Sequence, residues 1–249
     1  MPRLLIAEAF IQCARSAETL DQLYASLLQC CSDMKLKYFA LLHHVDFLTV
    51  RSEVVRLHNY PSSWQGWFDE NRLGISDPIL RASHLASIGF AWSAVPGMIK
   101  LTASDHSVLS QARIVGIGDG FTVPAHVPGE INGSCSFAVA AGEEFPEQLH
   151  STAQLIGGFA FEAARRISHS HDLWVDGRAT LTDRQVDCVL WAARGKTDWE
   201  ISVILGISHE TVIQHLKLAR ERYGVQKRAM LAVRALFDGL ISFSDILKP

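Results

Sequence analysis

The chain lacks any apolar run of about 18 residues without charge, which a membrane-spanning helix would need. Its N-terminus also lacks the basic-then-apolar order of a signal peptide. Both absences lead to the expectation of a soluble, cytoplasmic protein with no membrane partner. Cysteine is scarce: Cys13, Cys30, Cys31, Cys135 and Cys188 are odd in number and form no C-x-x-C pair. Reduced, mostly buried thiols are expected, and neither a disulfide framework nor a metal site. His169 and His171 have no further ligands beside them and read as linker residues rather than metal ligands. There is no G-x-S-x-G elbow, no H-E-x-x-H and no phosphate-cradling glycine loop, so the chain is not expected to be an enzyme or to hold a cofactor. No repeat or low-complexity tract interrupts it.

What is present suits two modest domains, with 249 residues and 48% hydrophobic content. The net charge of −3 hides an asymmetry. From Ala179 onward ten Lys or Arg face eight Asp or Glu, whereas the preceding part has thirteen against eighteen. An acidic front with a mildly basic end fits a regulatory domain joined to a nucleic-acid reader. The polar run Ser168–Thr180, with Gly177, marks the boundary. The expected division is residues 1–168, a linker at 169–180, and residues 181–249.

The C-terminal part carries three helix starts in a row. Thr182 stands three residues before Gln185 and Thr197 three before Glu200, both capping-box spacings, and Ser208 is an N-cap for a third helix. Gly195 and Gly206 close the first two. Two short helices joined by a tight glycine turn form a helix-turn-helix, whose second helix enters the DNA major groove. Ile201, Ile204 and Leu205 form an apolar stripe on the first of this pair, and Val212, Leu216 and Ala219 one on the second. The opposite face of the second offers His209, Thr211, Ile213, Gln214, Lys217 and Arg220 for DNA contact. Lys217 and Arg220, three apart, share a face and can reach phosphates or guanine edges.

This stretch resembles the LuxR-type C-terminal DNA-binding domain. The likeness rests on Leu181-Thr182, Arg184-Gln185, Gly195-Lys196-Thr197, Glu200-Ile201, Leu205-Gly206-Ile207-Ser208, Thr211-Val212, His215-Leu216 and Tyr223-Gly224-Val225. Two positions depart from the pattern. Gln185 replaces the usual Glu and keeps the capping geometry, whereas Ile213 stands where many relatives present Lys or Arg, which puts the operator sequence in question.

In the front part, Leu4–Arg15, Thr19–Met34, Ser104–Val115 and Pro146–Ile167 read as helices, and Tyr38–Val45, Val54–Tyr60, Gly120–His126 and Cys135–Ala141 as strands. Asp77 starts a short helix with Pro78 at its first position. Strands joined by short turns indicate an antiparallel sheet, with helices on both faces. The expected fold is α+β: an N-terminal α/β/α sandwich and a C-terminal all-α helix-turn-helix domain.

One constellation in the front part carries chemistry: Tyr60, Pro61 and Trp64, then Asp77-Pro78, then Phe90 and Trp92. An inward Asp77 beside Trp64 and Tyr60 would form a polar cluster in an aromatic cavity, suited to a ligand with an amide and a carbonyl. On the residues alone, Asp77 as a mere helix cap and the aromatics as plain core remain open. The region is similar to the autoinducer-binding domain of LuxR-type quorum-sensing regulators, which bind N-acyl-homoserine lactones. That resemblance implies that Trp64 donates to the lactone carbonyl, Asp77 accepts from the ligand amide, and Tyr60 donates to the acyl carbonyl, with Ser136 adding a contact. Trp92 walls the lactone ring, and Gly120 matches a glycine near a strand start. It further implies a homodimer on a two-fold symmetric promoter site in double-stranded DNA, with RNA polymerase as a further partner. The apolar side of a last helix, Ala229–Leu240, suits core and dimer packing alike.

Phe68 is the main departure, since the usual signal binders have Tyr there. It motivates the alternative of a LuxR-type regulator that needs no ligand or senses a host or plant compound. A phosphorylated response regulator would need parallel βαβ units and an N-terminal acidic cluster, and neither is visible.

Overall fold

Alternation along one strand decides the N-terminal architecture. In β1 (Tyr38–His43) the side chains of Phe39 and Leu41 point to one face, and those of Tyr38, Ala40 and Leu42 to the other. The computed structural model of the chain describes residues 3–45, 54–128, 130–171 (backbone alone at 169–171) and 181–247. It divides into two compact units.

In the N-terminal unit β2 (Arg56–His58), β1, β5 (Gly133–Ala140), β4 (Ile117–Ala125) and β3 (Phe90–Ala91) lie side by side in that order, all antiparallel. Phe39 faces Phe137 and Leu41 faces Cys135, while Phe121 and Val123 continue the same rows from β4. This side packs on α1 (Arg3–Ser16), α2 (Leu20–Met34) and α8 (His150–His171) through Phe10, Leu23, Leu27, Ile156 and Ala160. Burying Phe10, Leu23, Leu27 and Ile156 contributes roughly 1.5–3 kcal/mol each. The other side, with Ala40, Thr122, Ser136 and Ala138, is roofed by α3 (Ser62–Glu70), α4 (Leu73–Ser76), α5 (Pro78–Ser83) and α7 (Ala103–Ile114). α6 (Val95–Met98) packs with α5 in a small cluster around Ile79, Phe90 and Val95.

The α/β/α arrangement is therefore as the patterning indicates. α3, α4, α6 and the two-residue β3 are additions, each too short or too mixed to show a period. The second strand is three residues long, not seven. α8 runs to His171, three residues into the expected linker. Residues 172–180 and the side chains of His169 and His171 lie outside the described residues. Cys30, Cys31, Cys135 and Cys188 are buried free thiols, while Cys13 is exposed.

The C-terminal unit is built from α9 (Asp183–Ala193), α10 (Asp198–Leu205), α11 (His209–Tyr223), α12 (Arg228–Phe237) and α13 (Phe243–Leu247). Both capping boxes form: Thr182 with Gln185, and Thr197 with Glu200. The Ser208 hydroxyl accepts from the Thr211 N–H. Gly206 and Gly224 close α10 and α11 at φ 65° and 61°, a backbone that glycine adopts without a Cβ clash. Cys188, Val189, Ile201, Val212, Leu216, Ala219, Leu231 and Ala235 form the core. Ile204 departs from the expected stripe: it is 42% exposed, whereas Ile201 is fully buried and Leu205 packs half-buried against the core.

Replacing Thr197 by Ala removes the acceptor for the Glu200 N–H and should cost about 1 kcal/mol. Urea unfolding followed by circular dichroism checks this, and an unchanged midpoint would mean that the box contributes nothing.

Candidate functional site

A cavity lies between the roof helices and the sheet. The structure brings all six sequence-predicted residues to its wall: Tyr60, Trp64, Phe68, Asp77, Trp92 and Ser136. The rest of the wall is mainly apolar, with Ala40, Ile79, Val108 and Ile117 among its residues. Mostly apolar walls with a few converging polar groups are the usual make-up of a small-molecule site.

Trp64 and Phe68 project from α3 one turn apart and pack at 6.0 Å between ring centroids. Trp64 also lies against Trp67, at 5.4 Å. Tyr60 enters from the chain after β2 and contacts the Tyr38 ring at 5.7 Å. Among the described residues, neither the Trp64 indole nitrogen nor the Tyr60 hydroxyl has a protein hydrogen-bond partner.

Asp77 is both cap and cavity wall. Its Oδ1 accepts from the Ile79 N–H at 2.7 Å and the Leu80 N–H at 3.1 Å, anchoring the start of α5. Both bonds fall on one oxygen, so the other is left for a further donor. Burial pushes the carboxyl up to about 6, against the pull of the two cap bonds.

Thr122, fully buried on β4, is a member of the site that the sequence does not single out. The Trp92 Nε1–H donates to its Oγ1 at 2.8 Å, and that oxygen lies 2.8 Å from the Ser136 Oγ. The indole N–H of Trp92 is thus committed to the protein, and Trp92 meets the cavity with its ring. Gly120 makes room for this: a Cβ there would come within 2.7 Å of both the Trp92 ring and the Phe137 carbonyl oxygen.

α5 is held at its far end by histidines. His126 Nε2 donates to the Ser83 carbonyl at 3.0 Å, His84 lies 2.8 Å from His44 (Nε2 to Nδ1), and His44 Nε2 reaches the Ser134 hydroxyl at 2.9 Å. Burial first, then the neighbouring His84 and His126, hold His44 down at about 3, so it stays neutral.

In the C-terminal unit His209, Ile213, Gln214 and Lys217 stand exposed on α11, and Thr211 is half-buried. The Thr211 hydroxyl lies 3.0 Å from that of Ser208, inside the helix cap. Lys217 pairs loosely with Glu221 at 3.9 Å. Arg220 differs from its expected companions: it is half-buried, and its guanidinium donates to the Leu216 and Gln226 carbonyls at 3.4 and 3.3 Å. Trp199 and Val203 of the preceding helix are exposed, a feature that period-based reading misses.

The family description "Autoinducer binding domain" matches residues 19–166, and "Bacterial regulatory proteins, luxR family" matches residues 179–235. The chain is 31% identical to the transcriptional activator protein VanR of Vibrio anguillarum, over 77% of this chain and 79% of that one. It is 28% identical to the transcriptional activator protein LuxR of Aliivibrio fischeri, over 86% and 87%. Among solved structures, SdiA in complex with octanoyl-rac-glycerol shares the fold, with a TM-score of 0.71 at 22% identity over 97% of this chain and 98% of that one; SdiA is an Escherichia coli protein.

The two buried titrating groups act in opposite senses on stability. Asp77 has a folded value above its ordinary 3.8, so its contribution is full below about pH 4 and is lost as pH rises through 6. His44 has a folded value below its ordinary 6.5, so its contribution is full above that pH and is lost as pH falls through 3. Between pH 4 and 6 each changes by about 1.4 kcal/mol per unit, with opposite sign. Asp77→Asn leaves the histidine effect unopposed. Relative to the parent, that variant should lose roughly 3 kcal/mol on going from pH 6 to pH 4. Denaturant titrations at the two pH values measure the difference, and parallel curves would refute it.

Proposed function

Because the chain belongs to the LuxR family of bacterial regulatory proteins and carries that family's autoinducer-binding domain, we propose that it is a transcription factor switched by an N-acyl-homoserine lactone. The family consists of transcriptional regulators, not enzymes. The observation that carries the reading is the convergence of Tyr60, Trp64 and Asp77 on one apolar cavity. Trp64 and Tyr60 supply N–H and O–H donors for the two ligand carbonyls, and Asp77 an acceptor for the amide N–H. A bond to a charged carboxylate contributes roughly 1.5–3 kcal/mol, and each neutral one about 0.5–1.5. Trp92 walls the lactone ring and Ser136 adds a hydroxyl. A ligand bound only by the folded state stabilises it by about 2.7 kcal/mol at a hundredfold excess over Kd.

In this reading residues 1–168 take the signal, 169–180 link, and 181–249 bind double-stranded promoter DNA. His209, Thr211, Ile213, Gln214, Lys217 and Arg220 form the DNA-facing set, with Arg220 also bracing the end of α11. Met230, Val233, Phe237 and Leu240 are exposed at and just beyond α12, an apolar face that suits a homodimer on a two-fold symmetric site next to RNA polymerase. Among the described residues no helix is long and apolar enough to cross a membrane, in keeping with a cytoplasmic regulator.

A second reading is supported by Phe68, which lines the cavity without a hydroxyl, and by the acylglycerol bound in the SdiA structure. In it the same cavity takes a non-lactone compound, or the regulator needs none.

Asp77→Asn keeps a side-chain oxygen for the α5 cap and loses the charged acceptor. The melting temperature should rise by several degrees with one class of acyl-homoserine lactone in the parent and stay flat in the variant. No rise in the parent with any acyl-homoserine lactone favours the second reading. Lys217→Ala should weaken promoter binding and lower the slope of log affinity against log salt by about 0.9, the value for one phosphate contact. An unaltered slope in a fluorescence-anisotropy titration removes Lys217 from the contact list.

A further inference from the structure

The chain at β2 carries two polar side chains, Arg56 and His58, that the signal reading leaves unused. Arg56, His58 and Tyr60 stand two apart, so the extended backbone sends them to the cavity face, while Leu57 packs on the opposite core. Beside the main cavity lies a small side chamber, bordered by Arg56, His58 and Gln65. The two spaces share the Tyr60, Trp64 and Phe68 side chains as a common wall. Asp77 and Trp92 line the main cavity and not the chamber.

Its chemistry is specific. His58 Nδ1 is sealed from solvent and has no hydrogen-bond partner among the described residues. A buried polar nitrogen without a partner is uncommon and costly, and a ligand atom is one way to satisfy it. Burial, and next the Arg56 charge, hold the His58 imidazole below the usual histidine range, so it is neutral at pH 7 and offers one N–H. Arg56 makes paired hydrogen bonds to Asp69, both at 2.9 Å, so its charge is balanced. The His58 ring stacks on Tyr60 at 6.0 Å, which fixes its direction. Phe68 adds no hydroxyl to the shared wall, so the polarity at this end comes from His58 and its neighbours.

Resting on the acyl-lactone reading, we propose that this chamber is a terminal subsite for the far end of the acyl chain, where His58 bonds a neutral oxygen such as a hydroxyl. A plain methyl terminus would leave His58 Nδ1 unsatisfied, whereas a terminal hydroxyl can accept from an Nδ1–H or donate to a bare Nδ1. An anionic terminus is disfavoured because Asp69 already neutralises Arg56.

The test is calorimetric titration of the full chain with matched acyl-homoserine lactones, plain and ω-hydroxylated, from short to long chains. At the length that spans both spaces, the hydroxylated ligand should bind about tenfold tighter, a difference of about 1.4 kcal/mol. His58→Leu should bring the ratio of the two affinities to about one, and His58→Gln, which keeps an N–H, should retain part of it. A ratio near one at every length in the parent overturns the subsite and leaves the lactone reading standing. A preference that survives His58→Leu also overturns it. Binding of neither ligand removes the lactone reading and the subsite together.

Discussion

A single buried carboxylate organises the cavity side of the N-terminal unit. Asp77 fastens the start of α5 through two backbone N–H groups, and this places Ile79 and Leu80 in the cavity wall. The six-residue helix is too short to be stable by itself, since nucleation costs more than so few internal bonds return. Its position therefore depends on its ends: the carboxylate at one, and the His126, His84 and His44 chain at the other. The same carboxylate lines the cavity. In the proposed function, a group that must stay in place for the fold is thereby also held in place for the signal, with no separate positioning element.

The two units reach order by different physics. The N-terminal one depends on pairings between distant parts of the chain, with β1 and β5 locked face to face by Phe39 against Phe137. The C-terminal one depends on local devices, in which three threonine or serine caps and two left-handed glycines set the helix ends before any packing is considered. Its core then needs at most three buried apolar residues per helix. That is why Ile204, Trp199 and Val203 can be left on the surface.

This difference also explains what could be read from the sequence. Caps have fixed spacings, so Thr182, Thr197, Ser208, Gly206 and Asp77 were each legible as helix boundaries. Six cavity residues were legible because their family pattern is spaced along the chain, and the fold gathers all of them on one wall. Thr122 was not: a threonine in a strand has no local signature, and its role appears only when β4 brings it under Trp92. The histidine chain escaped for the same reason, since His44, His84 and His126 come from three separate elements. Arg220 reads as a surface cation from helical period alone. Only the turn after α11 supplies the Gln226 carbonyl that draws it inward.

The strand pairing has a consequence for how the protein is made. β1 and its partner β5 lie about a hundred residues apart in the chain. At roughly 5–20 residues per second, a ribosome takes about 5–20 s to deliver the second after the first. Through that interval β1 has an unpaired edge and two large apolar side chains, Phe39 and Leu41, without their final cover. Contacts of such long range form late and slowly. The helix-turn-helix follows in the chain and finds its own shape from nearby residues. Within each newly made molecule, the sheet that walls the cavity is thus the slow step, and the nascent chain is most exposed to aggregation and proteolysis before that sheet closes.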